Sequence, residues 1–114
     1  MKFEHLLYET QGRIAAITLN RPQRFNAICI GMPTEIREAV ELANRDDNVH
    51  VIVLQAAGRG FCGGYDLVEF AEENDLQQGT TDGSSGTLWD PMVDFQMMYQ
   101  NTKDFMSLWN SYKP

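Results

Sequence analysis

One stretch limits the possible folds more than any other: "VHVIVLQAAGRGFCGGYDL", residues 49–67. Its first part, Val49 to Leu54, is a nearly continuous apolar run. Such a run predicts a strand covered on both faces, as in sheets flanked by helices. Its second part crowds Gly58, Gly60, Gly63 and Gly64 into a short turn that closes on Asp66. Asp66 followed by Glu69 is the D-x-x-E pattern of a capping box, so a helix is expected to open there. A strand, a glycine turn and a capped helix in succession predict an α/β chain.

The flanking segments fit that class. "FEHLLYE" and "RIAAITL" are short apolar segments joined through Thr10, Gln11 and Gly12, the pattern of a β-hairpin. "NRPQRFNA" reads as a loop, marked by Asn20, Pro22 and Asn26. A helix is expected from near Pro33, with Ile36, Val40 and Ala43 at helical spacing. Glu35, Arg37, Glu38 and Glu41 fall on its other face and read as solvated charges. "QQGTTDGSSGT", residues 77–87, reads as a mobile polar linker. Asp90 and Pro91 open a last helix, and Val93, Met97, Phe105, Leu108, Trp109 and Tyr112 form an apolar stripe along it. Such a stripe is read as core rather than as a ligand box.

Charge and length exclude several functions. The 114 residues suffice for one domain, and a net charge of −7 argues against nucleic acid or an anionic membrane as partner. "MKFEHLLYET" is too polar for a signal peptide, and no apolar run has membrane-spanning length. Cys29 and Cys62 are therefore expected as reduced, buried packing residues of a cytoplasmic protein. His5 and His50 have no second ligand at metal spacing, and no Ser-His pair suggests a nucleophile. Neither a metal nor a cofactor is expected.

Gly58, Gly60 and Gly63 match G-x-G-x-x-G, the dinucleotide fingerprint. That fingerprint belongs after a first strand and needs an acid about 20 residues on, at a second strand's end. Here two strands and a helix precede the turn, the region near Asp82 reads as linker, and Asp66 would repel a pyrophosphate. In a second reading, Gly63 and Gly64 adopt torsions closed to other residues and let a ligand approach the backbone. The N–H groups around Tyr65 then lie at the positive end of the Asp66 helix, where they can stabilise a developing oxyanion. From these residues alone, a ligand-free tight turn is as compatible as an oxyanion turn.

"ITLNRPQRFNAI" (Ile17 to Ile28), a helix, and then "VIVLQAAGRGFCGGYDL" (Val51 to Leu67) resemble the N-terminal half of the enoyl-CoA hydratase/isomerase, or crotonase, superfamily. "LWNSYKP" is similar to the helix end that precedes the next strand in that family. The resemblance covers the chain and implies a ββα superhelix of the ClpP/crotonase type, truncated, with residues 1–114 as its N-terminal part. It implies a coenzyme A thioester as substrate, with coenzyme A entering only as part of that substrate. The Tyr65 N–H matches one of two oxyanion donors, with Gly64 setting the turn. Arg24, Asn26, Ala27, Cys62, Gly63, Asp66 and Leu67 match the coenzyme A-binding positions, Arg24 as a phosphate contact. Relatives carry a small residue where this chain has Tyr65, so its phenol is expected to narrow the acyl pocket.

The resemblance also implies a second oxyanion glycine and catalytic glutamates in a segment after "KP", which the 114 residues do not contain. Glu69, Glu72 and Glu73 read as surface carboxylates and not as substitutes. The expected function is thus hydration or isomerisation of an enoyl-CoA, weak in this chain alone, by a homo-oligomer. Two alternatives stay open: a non-catalytic coenzyme A-ester or protein-binding module from a shortened gene, and a dinucleotide-binding domain.

Overall fold

The computed structural model describes residues 2–69 and 90–114. Strand β1 (Leu6–Gln11) turns back into β2 (Ile14–Leu19) as an antiparallel hairpin, with Gln11 opposite Ile14 and Leu6 opposite Leu19. The two-residue loop places Gly12 first, at φ +60°. Glycine tolerates that value, and the resulting turn matches the twist of the strands. Helix α1 (Met32–Arg45) then carries the chain over to β3 (Val51–Ala56), which runs parallel to β2 with Val51 opposite Ile14. The sheet order is β1-β2-β3.

Alternation along β2 sets the core. Ala15, Ile17 and Leu19 point to α1 and are buried, and α1 answers with Met32, Ile36, Ala39, Val40 and Ala43. Gly31, at φ +90°, precedes α1 and offers no side-chain cap. Glu35, in the first turn of α1, is not a solvated charge: its carboxylate accepts from the N–H of Glu4 and of His5 and meets His5 Nδ1 at 2.7 Å, fastening the N-terminal arm to the helix. Arg37 departs from the solvated-face expectation too, as described below.

The third strand lies two residues later than expected and is covered on one face only. Val51 and Val53 remain 39% and 37% exposed. Their side of the sheet opens into a groove of about 310 Å³ between Glu9, Gln11, Ile14, Ala16, Val53 and Gln55. The apolar run misled at its start because Val49, 1% exposed, is buried before the strand begins, in a small cluster with Ala15 and Ala43.

Helix α2 (Pro91–Phe105) opens as the sequence predicts, with Asp90 Oδ1 accepting from the Met92 N–H. The apolar stripe is corrected: Phe105 and Leu108 pack on the core, but Val93, Met97, Trp109 and Tyr112 are exposed. The one buried residue of α2 is Asp104, which accepts from Arg37 Nε at 3.0 Å, Gln100 Nε2 at 3.1 Å and Thr34 Oγ1 at 3.4 Å. A buried carboxylate needs such donors, so α2 docks through a polar clasp rather than a stripe. After α2, Lys113 Nζ donates to the carbonyls of Ala43 and Asp46 at the C-terminal end of α1, and the Pro114 carbonyl accepts from the Ile52 N–H on the outer edge of β3. Residues 77–87, expected as a linker, lie outside the described residues. No helix among the described residues is long and apolar enough to cross a membrane.

Candidate functional site

The site begins in the loop between β2 and α1. A single 3-10 turn, Pro22–Arg24, is followed by Phe25 and Asn26, both at φ 54°. Asparagine tolerates this left-handed conformation better than most residues, and its amide can satisfy nearby backbone. Asn26 is fully buried; its Oδ1 accepts from the Arg21 N–H at 2.8 Å, and its Nδ2 donates to the carbonyls of Ala57 (2.8 Å) and Gly60 (3.0 Å). One side chain thus ties the loop to the glycine turn that leaves β3. The turn fits against the loop closely enough that a Cβ on Gly58 would stand 2.8 Å from Pro22 Cβ. Gly63 donates its N–H to the Phe25 carbonyl at 3.0 Å.

Beyond the turn the chain runs briefly parallel to the loop. Ile28 N–H donates to the Gly64 carbonyl at 2.7 Å, and Asp66 N–H donates to the Ile28 carbonyl at 2.9 Å, forming an isolated bridge between Ile28 and Tyr65. Both bonds use groups flanking Tyr65. Its own N–H therefore faces away from Ile28, as alternation in an extended segment requires. Gly64 makes this possible at φ +97°.

Asp66 ends the segment. Its Oδ1 accepts from the N–H groups of Val68 and Glu69, both at 3.1 Å, and a helical turn follows at 67–69. The capping box forms only half as expected. Glu69 Oε1 accepts from the Ile30 N–H at 3.1 Å, so Glu69 is a brace between the helix start and the loop and not an ordinary surface carboxylate. Asp66 Oδ2 meets Arg21 Nη2 at 3.2 Å, and Arg21 Nη1 also donates to the Ala27 carbonyl.

The Glu69 N–H first, then the Arg21 guanidinium, hold the Asp66 carboxyl below its ordinary range, against the opposing effect of its burial. A lowered folded-state pKa stabilises the fold fully above the unfolded value of about 4, and the gain is lost as pH falls through the folded value. Thermal unfolding measured between about pH 5 and pH 2 is therefore expected to show a falling midpoint that Asp66→Asn flattens. An identical acid slope in that variant would remove Asp66 as a source.

The structure brings Gly63, Gly64, Tyr65 and Asp66 together with Asn26 and Ala27. Arg24 ends the 3-10 turn, exposed, and its charge helps to lower the Asp66 carboxyl. Leu67 is 79% exposed. Arg21, which carries much of this geometry, is not legible in the sequence: its partner Asp66 lies 45 positions away. The cysteines divide. Cys29 is buried, and burial pushes its thiol up; Cys62 is exposed on the turn, contrary to expectation. A disulfide reagent is expected to modify Cys62 rapidly and Cys29 only on unfolding; two equally fast thiols would contradict this assignment. Glu72 and Glu73 lie outside the described residues. Among the described residues no group of three His, Cys, Asp or Glu side chains could hold a metal.

Comparison with known proteins identifies the family and the fold. The family model for enoyl-CoA hydratase/isomerase matches residues 9–99. EchA13 of Mycobacterium tuberculosis is 53% identical over 68 residues, 58% of this chain and 21% of its own. The trans-2-decenoyl-[acyl-carrier-protein] isomerase of Streptococcus mutans is 39% identical over 69 residues, 60% of this chain and 26% of its own. The crystal structure of an enoyl-CoA hydratase from Mycobacterium smegmatis superposes with a TM-score of 0.80 at 38% identity, covering 99% of this chain and 39% of that one. The fold is thus of the crotonase type, and the chain spans between a fifth and two fifths of the length of these relatives.

Proposed function

The chain belongs to the enoyl-CoA hydratase/isomerase family, and from that premise we propose that its glycine turn polarises the carbonyl of a coenzyme A thioester. The observation that carries this reading is the Ile28–Tyr65 bridge, which orients the Tyr65 N–H away from the loop beside a helix start. A preorganised amide at the positive end of a helix stabilises charge that develops on an enolate oxygen. In this reading coenzyme A lies along Arg24–Ala27 and the turn residues Cys62 and Gly63, with Asp66 and Leu67 closing the site. Hydration and double-bond isomerisation share this enolate, and water or proton handling needs positioned carboxylates. In this reading residues 1–114 are the N-terminal part of a larger domain, working in a reducing cytoplasm. The second donor and the carboxylates belong to the segment that follows "KP" in the family.

The purified 114-residue chain is expected to bind enoyl-CoA and to turn it over poorly. Loss of one oxyanion donor costs about 3 kcal/mol, or ~10²–10³ in rate. Loss of general acid–base groups removes roughly another 10²–10⁴. These factors need not multiply, since groups that act as a unit are non-additive. A thermal shift with crotonyl-CoA beside a hydration assay tests both halves. Stabilisation by NADH and none by the thioester would overturn the substrate class; rapid hydration would overturn the claim that catalytic groups are missing. Exposed Val51 and Val53 on the sheet and Phe95, Met97 and Met98 on α2 further favour self-association, which light scattering showing a monomer at high concentration would refute.

A further inference from the structure

We infer that Arg21 is the positioning residue of the turn: its guanidinium bridges the Ala27 carbonyl and the Asp66 carboxylate and thereby fixes where the Gly64–Tyr65 peptide points. The side chain of Arg21 is 14% exposed and that of Asp66 5%, so the pair is largely withdrawn from water. A planar fork with two donors on one side can hold two acceptors at a set separation, which a lysine ammonium cannot. The two acceptors belong to the two segments that must stay in register. Ala27 precedes Ile28, whose N–H and carbonyl grip the turn, and Asp66 follows Tyr65. Asn26 ties the same loop to Ala57 and Gly60 at the near end of the turn, and Arg21 ties it at the far end. Without the far brace, the Asp66 end can slide against Ile28 while the near end stays fixed, and Tyr65 lies in the part that moves.

The placement of Arg21 is independent of any ligand, but its consequence for binding rests on the proposed thioester site. The test uses the full 114-residue chain, with amide hydrogen exchange and amide NMR shifts as the first readout. In Arg21→Gln, exchange at Ile28 and Asp66 is expected to accelerate by ~10-fold or more, while Ala15 and Ile17 in β2 stay protected. Asp66→Asn keeps an N-cap of similar strength and removes the charge pair, so it isolates the brace if Arg21→Gln folds poorly. It should reproduce the Arg21→Gln pattern, and the double variant should be no worse than either single one. Arg21→Lys should restore the charge but not the two-point hold, and remain closer to Gln than to Arg. Unchanged exchange at Ile28 and Asp66 in both Arg21→Gln and Asp66→Asn would overturn the inference, as would full rescue by lysine. Crotonyl-CoA affinity is the second readout. A wild-type chain that does not bind it, with the exchange pattern as expected, would sink the thioester reading and leave the positioning role standing.

Discussion

Gly58→Ala is expected to lower the thermal unfolding midpoint by roughly 10–20 °C, the largest effect of any glycine substitution in the turn. Two costs coincide there. The residue holds φ +88°, and an added Cβ would stand 2.8 Å from Pro22 Cβ and 3.3 Å from Pro22 Cα. A side chain could rotate aside, but a proline ring and its backbone cannot. Left-handed strain of about 1 kcal/mol and an overpacking cost of ~1–3 kcal/mol together give that shift. Gly60 supplies the control. It has no positive φ, and no atom lies within 4 Å of the place its Cβ would take, so Gly60→Ala should leave the midpoint nearly unchanged. Equal midpoints for the two variants, read by calorimetry, would mean that the loop yields at Pro22.

Gly64→Val is expected to weaken crotonyl-CoA binding by ~10–100-fold while changing stability less than Gly58→Ala does. A Cβ at Gly64 would stand in open space, so the protein itself offers no clash. The cost is torsional. At φ +97° a β-branched residue is strained, by ~1–3 kcal/mol, and the chain can relieve that strain only by rotating the neighbouring peptides. The Tyr65 N–H belongs to one of them. Each 1.4 kcal/mol lost from binding is tenfold in affinity, so a misdirected donor together with a blocked approach reaches the stated range. Isothermal titration of Gly64→Val beside Gly64→Ala separates the terms. Wild-type affinity in the valine variant would remove the turn from the binding site, and equal losses in Gly60→Ala would show that the effect is not local to Gly64.

What the sequence by itself determined is what depends on near neighbours. The Gly12 hairpin follows from a glycine at a position that needs φ +60°, and the α1 face from spacing at 3.6 residues per turn. The caps at Asp66 and Asp90 follow from side chains that reach N–H groups two or three positions on. The family was legible for the same reason, since its motifs are runs of adjacent residues. The tertiary structure alone decided everything that joins distant positions. Val51 and Val53 look the same in sequence whether one face of β3 is covered or two, and only the assembled layers leave them open. The stripe on α2 has helical spacing, yet burial goes to Asp104, because Arg37, Thr34 and Gln100 converge on it. Glu69 reads as a surface charge until the fold brings the Ile30 N–H to it. Arg21 is one charged residue in a loop until the sheet crossover delivers Asp66 across 45 positions. Periodicity and capping act over a few residues of backbone, whereas the partners of a charge are chosen by whichever segments the packed core sets side by side.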